Sequence, residues 1–166
     1  MVRFHLLKTA YIVLYSRSDC VWKLADFGLA SEASSRMLQY TTDANGTSGY
    51  RAPELLGSKM CNNKADIWSL GCILYELAVG QKAFKDDFAT LAHKISGKVL
   101  NVILDEDIGD EYKESITRNI LVMLQIEYSL RPSVTDLLTE FSSNFGSIQV
   151  KPSDTVQIHE ILSGSR

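Results

Sequence analysis

The residues with the clearest chemical potential in this 166-residue chain are acids placed among apolar neighbours. Asp66 is the sharpest case: it opens an apolar run and is followed by Trp68, Ser69 and Gly71. A carboxylate in a first helical turn complements the helix dipole. If that helix is buried, the carboxylate must also be hydrogen-bonded or paired, and one that gathers backbone N–H groups would fix a neighbouring loop. Asp26 stands in Asp26-Phe27-Gly28, directly after a strand-like run, which lifts the tripeptide above an ordinary turn. Glu54 follows Pro53 at a point where a short helix can start, and an acid there favours the dipole. Thiol and imidazole chemistry is not indicated. Cys20, Cys61 and Cys72 have no metal or redox spacing, and His5, His93 and His159 are scattered.

These acids must be positioned by the elements around them. Asn62 to Gly80 reads as a helix, opened by Asn62 and Asn63 as capping residues and closed by a glycine. Its apolar residues cover most of the circumference, which predicts a helix buried nearly all round at the centre of a soluble domain. It is too short for a bilayer span and carries Asp66 and Glu76. Upstream, Ile12-Val13-Leu14-Tyr15 and Val21-Trp22-Lys23-Leu24 predict a β-hairpin around a polar segment. Leu29 to Ser48 is polar, without helical or strand periodicity, and long loops in compact domains tend to be functional. Downstream, Phe88 to Gly97 predicts an amphipathic helix with Phe88, Leu91, Ala92 and Ile95 on one side. A helix over Tyr112 to Ile126 should turn Ile116, Ile120, Val122, Met123 and Ile126 inward. A last one, from Pro132 or Ser133, carries Val134, Leu137, Leu138 and Phe141. From Gly146 to Arg166 the composition turns polar, suggesting a mobile tail in which Ile158 to Leu162 can dock.

Three motifs in order, Asp26-Phe27-Gly28, Ala52-Pro53-Glu54 and Asp66-Ile67-Trp68-Ser69-Leu70-Gly71, resemble the C-terminal lobe of a eukaryotic protein kinase of the Ser/Thr type. Arg131, in Leu130-Arg131-Pro132, matches the late arginine that pairs with the A-P-E glutamate in that family. The resemblance implies a mainly α fold, a kinase-like C-lobe with a small β-hairpin before D-F-G and the small lobe absent. With Phe4 aligned at the catalytic loop, a Gly-rich loop, a strand lysine and a helix glutamate are not expected within this chain. The domain is expected over 1–145, with a polar tail over 146–166.

The resemblance also implies ATP and Mg²⁺ as cofactors, Asp26 as a metal and nucleotide ligand, and a protein substrate or partner. The family pattern H-R-D-L-K-x-x-N falls on Phe4 to Tyr11. Lys8 then matches the lysine that contacts the transferring phosphate. Leu6 occupies the place of the catalytic base and Tyr11 that of the metal-binding asparagine. Leucine accepts no proton and a neutral phenol is a poor Mg²⁺ ligand. Thr47, Tyr50 and the A-P-E triplet resemble the substrate-docking end of an activation segment. Thr41 and Thr42 lie where an activating phosphate often sits, but His5 replaces the arginine that would receive it. Glu54 and Arg131 are expected to form a structural ion pair, and Asp66 to hold the catalytic-loop backbone.

Composition narrows the partners. The net charge is −3 and well mixed, so neither nucleic acid nor a membrane surface is expected. An odd cysteine count without an apolar leader favours a reducing, intracellular compartment, cytoplasmic or nuclear. Three readings stay open at this level: a Ser/Thr kinase represented by its C-lobe and inactive alone, a pseudokinase-like protein-binding scaffold, and a decayed fragment.

Overall fold

The computed structural model describes residues 13–16, 18, 21–24, 39–40, 46–104, 106 and 108–145. It is mainly helical, as the sequence predicts. Strands β1 (Val13–Ser16) and β2 (Val21–Leu24) pair antiparallel, Val13 against Leu24 and Ser16 against Val21. A second ribbon joins β3 (Gln39–Tyr40) to β4 (Met60–Cys61). Strand β3 leaves no trace in the residue pattern, because two residues are too few to show a period. Between these strands lies α1 (Pro53–Gly57), which starts on its proline because the missing N–H costs nothing in a first turn. Then follow α2 (Lys64–Val79), α3 (Asp87–Ser96), α4 (Asp110–Met123) and a 3₁₀ turn at Tyr128–Leu130. The chain divides into two units at Ser133 and Val134. The second unit is described by α5 (Val134–Phe145), in which Leu137 is buried while Val134 and Leu138 are exposed.

Helix α2 forms the spine of the first unit. Ala65, Ile67, Trp68, Gly71, Cys72 and Ile73 are buried. Trp68 stacks on Phe84, with ring centroids 5.3 Å apart, and Ile120 and Leu124 join the same core. Two expectations need correction here. The helix is not buried all round: Asp66 is exposed, and Leu70 and Leu77 are 43% and 44% exposed, a flank that none of the described residues covers. The start is capped by Asn62, whose Oδ1 accepts the Lys64 N–H at 3.0 Å, rather than by the Asn63 side chain.

Helix α3 has the expected apolar residues on one side, and of these Phe88 and Ile95 are 82% and 85% exposed. The helix instead buries Thr90 and packs Ala89 on the core. Periodicity finds an apolar stripe but does not say which side of a helix meets the protein. Among the α4 residues expected inward, Ile120 and Met123 are buried and Ile116 packs against the core.

Helices α2 and α4 approach closely at Gly71. A Cβ there would lie 2.8 Å from Met123 Cβ and 3.0 Å from Leu124 Cδ2. Only a residue without a side chain lets α2 and α4 approach this closely. Gly71→Ala should therefore destabilise the fold by about 1–3 kcal/mol through overpacking, despite alanine's better helix propensity. Urea unfolding checks this.

Candidate functional site

The site is built around residues 46–56 and the partners that hold them. Its anchor is Arg131, which is 2% exposed. Nη1 and Nη2 donate to Oε1 and Oε2 of Glu54 at 2.7 and 2.8 Å, a bidentate fork. Nε donates to the Gln125 carbonyl at 2.8 Å, Nη1 to that of Lys64 at 2.9 Å and Nη2 to that of Ile126 at 3.3 Å. All five guanidinium N–H donors thus have an acceptor. The cation also lies 5.0 Å from the Trp68 ring centroid. The Arg131 carbonyl accepts from Lys64 Nζ at 2.6 Å. One side chain therefore gathers α1, the start of α2 and the turn after α4.

Upstream of Glu54 the segment is held at several points, through Ser48, Gly49, Tyr50 and Arg51. Tyr50 is buried, its hydroxyl donates to the Glu76 carboxylate, and its carbonyl accepts from Ser69 Oγ at 2.9 Å. Lys82 Nζ sits 4.9 Å from the Tyr50 ring centroid. Gly49 has φ +84°, and a Cβ there would meet the Phe84 carbonyl at 2.6 Å, so glycine alone fits. Its N–H donates to Asp87 Oδ1 at 3.1 Å, while Arg51 Nη1 pairs with Asp87 Oδ2 at 2.7 Å. Asp87 N–H donates to Ser48 Oγ at 3.2 Å. Burial alone would raise the Asp87 carboxyl pKa. The Gly49 N–H, the Arg51 hydrogen bond and charge, and Ser48 outweigh it and hold the pKa below the ordinary carboxylate value.

The structure brings Thr47, Tyr50, Glu54 and Arg131 into this one region; Thr47 is exposed and its carbonyl accepts the Tyr50 N–H at 3.1 Å. Asp66 stands apart from the Arg131 network. It makes no hydrogen bond among the described residues, and partial burial raises its carboxyl pKa. His5, Leu6, Lys8, Tyr11, Asp26, Thr41 and Thr42 lie outside the described residues. Among the described residues no group of three His, Cys, Asp or Glu side chains could hold a metal ion. Cys72 is a free, buried thiol, its pKa pushed up to about 12 by burial, with Arg131 opposing and Glu76 adding to the rise. It is a core residue. Sequence reasoning missed Arg51, Glu76 and Asp87. Asp86 caps α3, accepting the Ala89 N–H at 2.9 Å, and nothing in the sequence pointed the neighbouring Asp87 at Arg51.

Residues 2–141 match the protein kinase domain family. The chain is 35% identical over 134 residues to the serine/threonine-protein kinase Nek8 of Danio rerio, covering 80% of this chain and 18% of the relative. It is 40% identical over 117 residues to the serine/threonine-protein kinase Nek3 of Oryza sativa subsp. japonica, covering 70% and 19%. Against the serine/threonine-protein kinase nekl-2 of Caenorhabditis elegans it is 32% identical over 129 residues, covering 77% and 34%. The chain thus spans about a third or less of the length of these relatives.

The network makes two predictions. Arg131→Ala should cost about 3–5 kcal/mol, because it strands Glu54 and several carbonyls in a dry site. Arg131→Lys should recover little of this, since an ammonium cannot form the fork or the ring stack. Thermal unfolding of both variants checks it. Asp87→Asn should cost about 1 kcal/mol at neutral pH, solvent screening part of the pair. The folded pKa lies below the unfolded one, so the contribution of Asp87 is full above about pH 4 and is lost as pH falls through the folded pKa. The gap between wild type and Asp87→Asn should therefore stay constant across neutral pH and close in acid, as urea titrations at a series of pH values would show.

Proposed function

The chain belongs to the protein kinase domain family, and from that premise we propose that it is a Ser/Thr kinase-like domain whose substrate-docking segment is retained while the chain by itself transfers no phosphate. One observation carries the reading. The segment ending in Ala52-Pro53-Glu54 is locked by the fully satisfied Arg131 guanidinium, while Asp87 and Glu76 hold its preceding residues. A surface loop held at this many points is suited to presenting a fixed face to a protein substrate or partner. Exposed Thr47 and Ser48 lie on that face.

Protein kinases as a family use ATP and Mg²⁺. In this chain the aligned donor set is thin. Asp26 supplies one carboxylate and Lys8 one cation for a phosphate, whereas Leu6 and Tyr11 supply neither a base nor a good metal ligand. Mg²⁺ demands near-octahedral oxygen ligation, which a single carboxylate does not secure. The residues do not fit the full nucleotide–metal group, and no transfer step is assigned to them. Leu6 and Tyr11 favour a second reading, a pseudokinase-like scaffold that works by binding protein through the activation-segment face. An intracellular setting accords with both. No described helix is long and apolar enough to cross a membrane.

The test is ATP turnover by the chain with Mg²⁺ or Mn²⁺ and generic Ser/Thr peptides, alongside thermal shift with Mg-ATP. The expected result is no turnover above background and a shift in Tm under about 1 °C at millimolar nucleotide. Turnover abolished by Asp26→Ala would defeat the proposal.

A further inference from the structure

Three residues of the docking segment converge on one residue at the start of α3. Asp87 Oδ1 accepts the Gly49 N–H at 3.1 Å, and Oδ2 accepts from Arg51 Nη1 at 2.7 Å. The Asp87 N–H donates to Ser48 Oγ at 3.2 Å, and the Ser48 hydroxyl is among the groups that keep the Asp87 carboxyl ionised. In this hub one guanidinium faces one carboxylate, so the charges balance. Gly49 has little freedom to follow a displaced carboxylate, because at φ +84° it lies against the Phe84 and Lys85 carbonyls.

The hub is open on one side. Gly49 is buried and Arg51 and Asp87 are half-buried, whereas Ser48 is exposed. Ser48 stands in irregular backbone before α1, which a modifying enzyme can draw into its own cleft. Arg51 Nε is buried and has no acceptor among the described residues. A buried N–H without an acceptor is costly, so this guanidinium has a donor to give to a second anion. The start of α3 is no free seat for that anion, since Asp86 caps Ala89 there and Asp87 follows it.

We propose that Ser48 is a phosphorylation site for another protein kinase, and that the phosphate releases residues 48–51 from α3. In the transfer the Ser48 Oγ–P bond forms and the bond from the γ-phosphorus of ATP to its bridging oxygen breaks. ADP leaves, and the hydroxyl proton passes to a base of the modifying enzyme. A phosphoserine carries a charge of about −1.5 to −2 at neutral pH, so with Asp87 nearly three negative charges would crowd one guanidinium. Arg51 turns to the phosphate, offering Nε and Nη in a fork. The Asp87 carboxylate is expelled by like charge, and the Gly49 N–H loses its acceptor. The Glu54–Arg131 fork shares no residue with this hub, so α1 stays anchored. That the release weakens docking rests on the reading of this segment as the substrate-docking face. The release itself does not, and it is measured without any substrate.

Two measurements on the full chain test it. The folded chain is incubated with Mg-ATP and a eukaryotic cell extract, and the phosphate is located by fragmentation mass spectrometry. Phosphate on Ser48, lost in Ser48→Ala, is expected; no phosphate on Ser48, or phosphate on Thr47 alone, would overturn the proposal. The chain is then made with phosphoserine installed at position 48 during translation, and its amide exchange is compared by NMR with that of the unmodified chain. The Gly49 amide should exchange about tenfold faster, while those of Cys72 and Ile120 in the core keep their rates. In Asp87→Asn, where the like charge is gone, the phosphate should change Gly49 exchange by less than about twofold. Unchanged or slower Gly49 exchange, the same acceleration in Asp87→Asn, or acceleration throughout the core would each overturn the proposal. Release of Gly49 that leaves the binding of Ser/Thr peptides unaltered would support the switch and count against the docking reading.

Discussion

The first unit depends on one buried cation. A guanidinium taken out of water costs several kcal/mol unless its charge and every donor find partners. Arg131 meets that condition in full, with a carboxylate fork, three carbonyls and the face of Trp68. The carbonyls come from Lys64, Gln125 and Ile126. Those of Gln125 and Ile126 lie just past the end of α4, where backbone acceptors lack intrahelical donors, whereas that of Lys64 opens α2. The arginine thus supplies hydrogen bonds that the end of α4 would otherwise lack, and the carboxylate of Glu54 makes its burial possible.

From that node the order spreads along the chain. Glu54 fixes the start of α1. Residues immediately before it then lie beside the side of α2 that carries Ser69 and Glu76, and beside the start of α3. Trp68 is the shared wall, with Arg131 on it and Phe84 stacked against it. Polar and apolar contacts here are one structure. The indole gives the cation a π face, and the cation's partners hold the helices that bury the indole. An irregular segment with few apolar side chains can be well ordered on such terms, because hydrogen bonds of buried groups replace core packing.

What the sequence made legible follows from range. Elements fixed by local chemistry were readable: the hairpin, the proline-started α1, and α2 with its Asn62 and Gly80 ends. The Glu54–Arg131 partnership came only through the family's motif order, because no local rule links residues that far apart. Asp87 and Arg51 had no such motif, so their pairing stayed invisible. The apolar stripe of α3 was visible, but its direction was not. Sequence shows that a face is apolar, whereas tertiary packing decides whether this chain or another molecule covers it. The loop that Asp66 was expected to hold lies outside the described residues; what the structure changes is the premise that α2 is covered all round, since Leu70 and Leu77 are exposed.

The central claim is that Glu54 and Arg131 act as one cooperative unit rather than as two polar residues in a well-packed region. A double-mutant cycle with Glu54→Gln, Arg131→Met and the pair, followed by urea unfolding, tests it most directly. The account predicts a coupling energy of about 2 kcal/mol or more, with the double variant more stable than the sum of the singles implies. Additive losses, with coupling within about 0.5 kcal/mol of zero, would contradict it.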